Sequence, residues 1–249
     1  MMLAIRAVFL TDIGSKRSKN QDNGFASAER GFCMIADGMG GHRGGETASR
    51  LAVEKQSENL AQESKDSMAD RLIHGLNLAH QAIYQLSQEN ESLRGMGTTS
   101  TLLSVDSPTN PRQAWIIHVG DSRCYLIKRG GLWQLTRDHS LVQEKLRAGL
   151  ITREQLKTDA MKNVITRSLG FEAQVQADLY HLSVERDDVF MLCSDGLTGQ
   201  VDDAEILATI EQFRESRDWK ACGERLIALA NERGGDDNIS VGLLEIGDQ

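Results

Sequence analysis

FCMIADGMGGH, residues 32–42, combines a five-residue apolar run with an Asp-Gly pair and further glycines. A short apolar run bounded by polar or glycine residues predicts a buried strand. Gly44 and Gly45 then precede residues 46–64, whose apolar side chains suit one face of a helix. The chain is therefore expected to carry Asp37 at the end of a buried strand, shortly before a helix.

The order of the other apolar patterns predicts an α+β fold. Residues 68–90 carry an amphipathic helical stripe, and helices are also predicted over residues 203–214 and 219–231. Strands are predicted over nine runs rich in β-branched and apolar residues: 5–10, 32–36, 98–105, 113–119, 123–128, 132–135, 176–182, 188–193 and 239–246. This order suits antiparallel sheets covered by helices on their outer faces.

Composition and charge restrict the classes of function. The chain has 249 residues and no Pro-rich or Ser-rich linker, so one domain spanning residues 1–249 is expected. A net charge of −8 disfavours nucleic acid, whose phosphates need clustered Lys and Arg. Residues 1–10 are interpreted as a strand rather than a signal peptide, and no apolar run approaches the roughly 18 residues of a membrane span. The cysteines form no C-x-x-C pair and are interpreted as buried free thiols, which favours the cytoplasm.

Aspartates beside glycines recur where predicted strands end or begin. The pattern occurs at Asp37-Gly38, Gly120-Asp121, Asp195-Gly196 and Gly235 to Asp237, and Asp22 adds a fifth acid. One such pair alone is most often a plain turn. Strand ends of packed sheets lie close together, however, and carboxylates sharing a cleft repel unless protons or cations compensate. Their hard oxygen atoms suit Mg²⁺, Mn²⁺ or Ca²⁺, whereas the His and Cys spacings of a zinc site are absent.

Three residues near these turns are candidates for ion or phosphate binding. The Gly38 carbonyl could ligate a cation, because glycine lets the backbone approach closely. Arg17 offers a guanidinium fork that matches two phosphate oxygens. His42 could protonate a leaving alkoxide, since imidazole titrates near neutrality. Outside this context they would be interpreted as a loop glycine, a solvated arginine and a surface histidine.

Six short segments occur in an order that one protein family shares. They are TDIG with Arg17 and NQD (11–22), ADGMGGH through Ser49 (36–49), MGTT (96–99), VGDSR (119–123), SDGL (194–197) and GG with DN (234–238). Together they resemble the metal-dependent protein phosphatases of type 2C, especially the bacterial and cyanobacterial single-domain members. Gln21 departs from the pattern, because many relatives carry Glu there.

The resemblance implies a fold, an activity and a class of partner. The fold is a four-layer α-β-β-α sandwich of two antiparallel sheets flanked by helices, with a flap subdomain over about residues 140–162. The activity is hydrolysis of phosphoserine and phosphothreonine in proteins, by in-line attack of a hydroxide that bridges two metal ions. The partners would be phosphorylated proteins, including Ser/Thr kinases and their substrates in signalling, and a monomer is the default expectation.

The resemblance also implies a set of metal ligands for two Mn²⁺ or Mg²⁺ ions. Asp37 would bridge the two ions, Asp195 and Asp237 would complete the first, and the Gly38 carbonyl would join the second. A weaker third ion would take Asp121 together with Asp195.

The resemblance assigns further roles around these ions. Asp22 would act through bound water, and Arg17 would bind the phosphate. His42 or a metal-bound water would protonate the leaving oxygen.

Two other classes of protein remain as alternatives. A non-catalytic family member would bind phosphoproteins as a regulatory module, but such a protein should have lost metal aspartates. A Ca²⁺-binding structural protein would not need Arg17, and no twelve-residue calcium loop is apparent. A cysteine phosphatase is excluded because no cysteine is followed by Arg six positions later, and no G-x-x-x-x-G-K-[ST] loop is present.

Overall fold

Eleven strands and six α-helices occur in the part of the chain that the structure describes. The structure is a computed structural model that describes residues 3–248, except for the side chains of residues 3, 41–43, 157 and 248. The strands are β1 (Leu3–Asp12), β2 (Asp22–Ser27), β3 (Phe32–Met39), β4 (Gly97–Thr98), β5 (Ser100–Val105), β6 (Gln113–Val119), β7 (Arg123–Lys128), β8 (Gly131–Gln134), β9 (Asp178–Ser183), β10 (Val189–Cys193) and β11 (Ile239–Asp248). The helices are α1 (Gly41–Ala61), α2 (Met68–Glu89), α3 (Leu141–Arg147), α4 (Asp195–Thr198), α5 (Asp203–Gln212) and α6 (Trp219–Glu232).

The strands pair into two antiparallel sheets. The first sheet has the order β1-β11-β10-β7-β8, and the second runs β2-β3-β5-β6-β9 with β4 pairing on β3. Ile5 lies opposite Ile246 in the first sheet. In the second sheet, Asp22 at the start of β2 lies opposite Asp37 on β3. Register alone thus makes neighbours of two acids that lie fifteen residues apart in sequence.

Alternating side chains on the strands build four layers. On β3, Cys33 and Ile35 join the apolar cluster between the sheets, whereas Met34 and Ala36 join a cluster with α1 and α2. Strand β10 divides in the same way, between the inter-sheet cluster and a cluster with α5 and α6. Both faces of these strands are buried, which explains their continuous apolar runs. The predicted α-β-β-α sandwich with two antiparallel sheets is confirmed.

Several predicted elements are present with different ends. Helix α1 begins at Gly41, so the prediction of a start at residue 46 was wrong. The glycines had favoured a loop, because each disfavours a helix by about 1 kcal/mol, but tertiary packing places them in the first helical turn. Strand β2 was not predicted. Its sequence DNGFAS contains no apolar run, and it lies at the edge of its sheet with partly exposed side chains.

The segment over residues 140–162 is largely irregular and carries one short α-helix, α3, and a 3₁₀ turn at Glu154–Lys157. The segment is therefore helical only in part. A bridge between Ser140 and Ile165 closes its base, and Lys145 Nζ lies 2.9 Å from Asp159 Oδ2 within it. Few apolar side chains of this segment are buried, so it packs on the sandwich without joining the main cores. No helix among residues 3–248 is both long and apolar enough to cross a membrane.

Candidate metal centre

Strand ends from both sheets line a cavity of about 490 Å³. Four carboxylates line it: Asp37 on β3, Asp121 after β6, Asp195 at the start of α4 and Asp237 before β11. The structure thus brings together acids that lie up to 200 residues apart in sequence. Arg17 and Gly38 line the same cavity.

Hydrogen bonds to the main chain hold Asp37 in place. Its N–H donates to Thr99 Oγ1 at 2.9 Å. Its carbonyl oxygen accepts from Thr98 Oγ1 and from the Thr99 N–H, each at 2.8 Å. The MGTT segment therefore fixes the strand through main-chain atoms of Asp37, so holding the strand does not require the Asp37 carboxylate.

Asp22 lies beside this cavity without lining it. Its side chain is buried, and Oδ2 accepts a 2.8 Å hydrogen bond from Ser194 Oγ. Burial raises the pKa of Asp22 to about 7, and the charges of Asp195 and Asp237 add to the rise. Asp22 thus lies next to Asp37 in register but does not line the cavity.

Buried carboxylate oxygens around the cavity have no hydrogen-bond partner. This is true of Oδ1 in Asp22, in Asp121 and in Asp195. Burial raises the pKa of Asp121 to about 8 and that of Asp195 to about 6, and neighbouring carboxylates add to both rises. Burial followed by four neighbouring carboxylates raises the pKa of Asp37 well above its usual value. Ionised carboxylates are costly to bury unpaired, so this cluster requires a compensating positive charge or proton.

Two of the Asp-Gly pairs have glycine because another segment passes directly behind the aspartate. A Cβ on Gly38 would lie 2.1 Å from the Gly45 carbonyl oxygen, and one on Gly196 would lie 2.0 Å from the Asn238 carbonyl oxygen. No side chain fits at either distance. The glycines therefore let α1 approach β3, and let α4 approach the segment before β11, so that the acids converge.

Arg17 lies on the rim of the cavity and is half exposed. Its Nη2 donates to Asp237 Oδ2 at 2.7 Å, and its Nε donates to the Asp236 carbonyl oxygen at 3.3 Å. The other Asp237 oxygen, Oδ1, accepts from the Asn238 N–H at 2.8 Å. The predicted phosphate-binding arginine is thus paired with a predicted metal ligand.

Asn238 has a positioning role that the sequence did not reveal. Its Oδ1 accepts from the Gln21 N–H at 2.8 Å, while its Nδ2 donates to the carbonyl oxygens of Ile13 and Lys19 at 2.8 and 2.9 Å. The amide thereby ties the loop that carries Arg17 to the start of β11. A polar residue between an acidic turn and a buried strand was the one local signal for this role.

The position of His42 does not test its predicted role. Its main chain belongs to the first turn of α1, but its side chain lies outside the described residues. Asn163 and Ile165, which follow the irregular segment, also line the cavity, and no sequence motif marks them.

The residues present fit a divalent cation. All the acidic groups in the cavity offer oxygen, which suits Mg²⁺ or Mn²⁺, and three buried oxygens lack a partner. Over the described part of the chain, no three acidic, His or Cys side chains are gathered tightly enough to hold a metal ion as they stand. Like charges repel, so carboxylates with no cation between them are expected to stand further apart than bound ligands do. The shared cavity and the unpartnered buried oxygens are the features that fit a cation.

A two-sheet sandwich with a carboxylate-lined cavity and an arginine on its rim is the arrangement of a metal-dependent phosphatase. A family model described as Protein phosphatase 2C matches residues 14–243. The chain belongs to the protein phosphatase 2C family, and the predicted enzyme class, a metal-dependent Ser/Thr protein phosphatase, is confirmed.

Relatives of known name cover almost the whole chain. Protein phosphatase PhpP of Streptococcus pneumoniae is 38% identical over 246 residues, which cover 96% of this chain and 97% of PhpP. The crystal structure of the Mycobacterium tuberculosis serine/threonine phosphatase PstP/Ppp has a TM-score of 0.88 and 31% identity, covering 98% of this chain and 99% of that one. A structure of the PstP catalytic domain in complex with two manganese ions has a TM-score of 0.87 and 31% identity, covering 99% and 100%.

Proposed function

We propose that Asp37, Asp195 and Asp237 hold the two divalent cations with which this phosphatase hydrolyses phosphoserine and phosphothreonine. The observation that carries the proposal is the convergence of these carboxylates on one cavity, with unpartnered buried oxygens beside it. The related PstP catalytic domain binds two manganese ions, and Mn²⁺ is accordingly the first cation to test, with Mg²⁺ second.

The other acids and one carbonyl would complete the centre. We propose that the Gly38 carbonyl joins the second ion and that Asp22 acts through bound water, which its place next to Asp37 but outside the cavity lining supports. Asp121 lines the cavity together with Asp195 and has an unpartnered oxygen. These two carboxylates would hold a weaker third ion.

The residues of the chain bind and orient the phosphate. Divalent cations, when bound, supply positive charge that lowers the pKa of a water molecule and offsets the charge on the phosphoryl oxygens. Arg17 is half exposed on the rim and directs its fork into the cavity, so it can exchange its bond to Asp237 for two phosphate oxygens. Asn238 holds the loop of Arg17 at a fixed distance from β11, which pre-organises this contact.

A proton must reach the leaving Ser or Thr oxygen. We propose His42 for this step, because its main chain lies in the first turn of α1, directly after Gly38 and Gly40 on the cavity wall. The proposal rests on the imidazole's titration near neutrality, and a His42→Ala variant tests it. It should lower kcat more at low pH, where the native imidazole carries a proton to donate, than at high pH, where it does not.

We propose phosphorylated signalling proteins, including Ser/Thr kinases, as the substrates and the cytoplasm as the compartment. Four buried free cysteines support the compartment, because disulfides are rare in reducing cytosol. We further propose a monomer with residues 1–249 as one catalytic domain and about 140–162 as its flap. The four carboxylates converge on one cavity without a residue from a second copy, so the proposed centre does not require a dimer.

The test is hydrolysis of a phosphothreonine peptide with added Mn²⁺, with added Mg²⁺ and with excess EDTA. Asp37→Ala and Asp237→Ala should each lower kcat by at least about a hundredfold, the loss typical of a residue that positions charge in a transition state. Asp236→Asn is the matched control, because its exposed carboxylate is next in sequence but does not line the cavity.

Calorimetric titration with Mn²⁺ gives a second readout that does not depend on turnover. The two cavity variants should bind Mn²⁺ more weakly, and the control should bind it as the native protein does. If a folded native protein bound Mn²⁺ but hydrolysed nothing, a phosphoprotein-binding module would replace the enzyme. If Asp37→Ala and Asp237→Ala kept full activity, the ligand assignment would be wrong.

A further inference from the structure

Two more cavities extend from the catalytic cavity beneath the segment 140–162. The first, of about 370 Å³, shares Asp121 and Asp195 with the catalytic cavity. The second, of about 650 Å³, continues from the first and shares Arg153 and Leu156 with it. We call these two cavities together the flap groove. A polypeptide whose phosphorylated residue reaches the catalytic cavity can therefore lay its neighbouring residues along this groove.

The exposed side chains of the flap groove are strongly cationic. Arg153 and Lys162 line its inner part, and Arg137, Arg147 and Arg153 line its outer part. All four side chains are exposed, and within the described part of the chain none of them forms an ion pair. The whole protein carries a net charge of −8, so this local concentration of positive charge runs against the composition.

The acidic side chains of the groove do not cancel these charges. Asp138 is buried and accepts from Arg123 Nη2 at 2.7 Å and from its Nε at 3.0 Å. That pair is neutral as a unit. Asp121 and Asp195 belong to the candidate metal centre, where cations would compensate them. The exposed Glu154 lies close enough to Arg153 for their charges to interact, but no ion pair joins them, so the cations along the flap remain available to a ligand.

Another neighbour of the catalytic cavity has a different character. This cavity, of about 690 Å³, shares Ile165 with the catalytic cavity but shares no lining residue with the flap groove. Its one arginine, Arg167, is paired with Asp178 at 3.1 Å, and its exposed side chains include Phe171 and Glu172. This cavity favours apolar or neutral substrate residues, so anionic substrate residues are expected to bind in the flap groove instead.

We propose that the flap groove binds anionic side chains that flank the phosphorylated residue on one side of the substrate. The ligand chemistry is a carboxylate or a second phosphate, held chiefly by Arg147 and Arg153. The inference rests on the proposed function, because it needs the phosphorylated residue in the carboxylate-lined cavity. It makes this enzyme selective for acidic or multiply phosphorylated sites.

The expected preference is moderate and sensitive to salt. Exposed ion pairs contribute little each, so two of them should raise kcat/KM about three- to tenfold. Salt at roughly 0.5 M should remove most of this gain, because it screens exposed charges over a few ångströms. Binding energy of this kind acts on the flanking residues rather than on the reacting phosphoryl group, so it should appear mainly in KM.

The experiment compares phosphothreonine peptides of equal length in the presence of Mn²⁺. One has neutral flanks, one has glutamates before the phosphothreonine, and one has glutamates after it. Two more carry a non-hydrolysable phosphonate residue instead of the glutamates, one before the phosphothreonine and the other after it. The proteins are the native chain, the double variant Arg147→Gln/Arg153→Gln, and the control Arg112→Gln. Arg112 is an exposed arginine without an ion pair among the described residues, in the hairpin before β6 and away from the strand end that leads to Asp121.

The result expected is a three- to tenfold preference for anionic residues on one side only, lost in the double variant and kept in the control. Glutamate and phosphonate arms show which anion the groove favours, and either one supports the proposal. Turnover of p-nitrophenyl phosphate, which has no flanking residues, should be equal in all three proteins. Equal kcat/KM for neutral and anionic peptides in the native protein, or a preference that survives in the double variant, would overturn the proposal. If even p-nitrophenyl phosphate is not hydrolysed, the proposed function fails and this inference fails with it.

Discussion

Ser194 Oγ donates a 2.8 Å hydrogen bond to Asp22 Oδ2 and so joins the two sheets at the candidate metal centre. Asp22 begins β2 in the second sheet, whereas Ser194 follows β10 in the first. The same hydroxyl oxygen accepts from the Ser240 N–H at 3.0 Å. One buried hydroxyl therefore sets the distance between sheets at the point where the acids converge.

Ser194→Ala should weaken both folding and Mn²⁺ binding. Loss of the hydroxyl leaves a buried carboxylate oxygen and a buried N–H without this partner, which lowers the free energy of unfolding by about 1–3 kcal/mol. Urea unfolding and calorimetric Mn²⁺ titration measure the two effects. Ser104→Ala is the control, because Ser104 is equally buried but its hydroxyl reaches only the neighbouring Val105 carbonyl, at 3.5 Å. Equal Mn²⁺ affinity in Ser194→Ala and the native protein would contradict a positioning role.

Gly196→Ala should destabilise the protein more than a glycine change in open space. The added Cβ would meet the Asn238 carbonyl oxygen at 2.0 Å, so β11 or α4 must move, at about 3 kcal/mol or more. Gly149→Ala is the control, since nothing lies within 4 Å there and only its φ of +70° opposes alanine, at about 1 kcal/mol. The unfolding free energies of the two variants give the comparison, and similar losses would argue against the close approach behind Asp195.

The fold was predictable wherever both faces of a strand are buried. Residues 113–119 and 123–128 were predicted with the bounds observed for β6 and β7, because apolar runs of that kind need no knowledge of partners. The strand β2 was not found, since an edge strand with partly exposed side chains has no such run. The pairing of β1 with β11 joins the two ends of the chain, and no local pattern encodes a partner that distant.

The site was predictable as far as its acids but not as far as their support. Asp37, Asp121, Asp195 and Asp237 were identified because each acid stands next to, or within two residues of, glycine near a predicted strand end. The hydroxyl of Ser194 and the amide of Asn238 act on segments about 170 to 225 residues away in sequence. Such contacts form only in the tertiary structure, and they produce no local pattern in the amino-acid sequence.

His118 should make the protein less stable at mildly acidic pH. It is fully buried, Nε2–H donates to the Arg137 carbonyl oxygen at 3.1 Å, and Nδ1 accepts from Thr101 Oγ1 at 2.9 Å. Burial, and then the charge of His139, lowers the pKa of His118 to about 4. The unfolded chain, with a histidine pKa near 6.5, takes up a proton first as the pH falls. Stability is therefore full above pH ~6.5 and declines towards pH ~4.

Urea unfolding at about pH 7.5 and about pH 5 measures this decline, to which His118 should contribute about 2 kcal/mol. His118→Gln should be less stable at neutral pH but should show a smaller decline, because the titrating group is gone. His74→Gln, on the exposed face of α2, should keep the native decline. The same decline in His118→Gln as in the native protein would show that other groups account for it.

Asp37→Asn should stabilise the protein without metal while it abolishes activity. Asp37 lies among four other carboxylates whose charges, after burial itself, raise its pKa well above the usual value. A neutral amide of the same shape removes that repulsion, so in EDTA the free energy of unfolding should rise by about 0.5–2 kcal/mol. Mn²⁺ should raise the melting temperature of the native protein, because a ligand that binds only the folded state stabilises it, but should raise that of the variant much less. The two unfolding curves should therefore exchange order when Mn²⁺ replaces EDTA.

The control is Asp66→Asn, an exposed carboxylate before α2, which should follow the native protein in both conditions. If the variant were less stable than the native protein in EDTA, favourable contacts rather than repulsion by neighbouring carboxylates would dominate at Asp37. Carboxylate repulsion would then no longer support a cation site there.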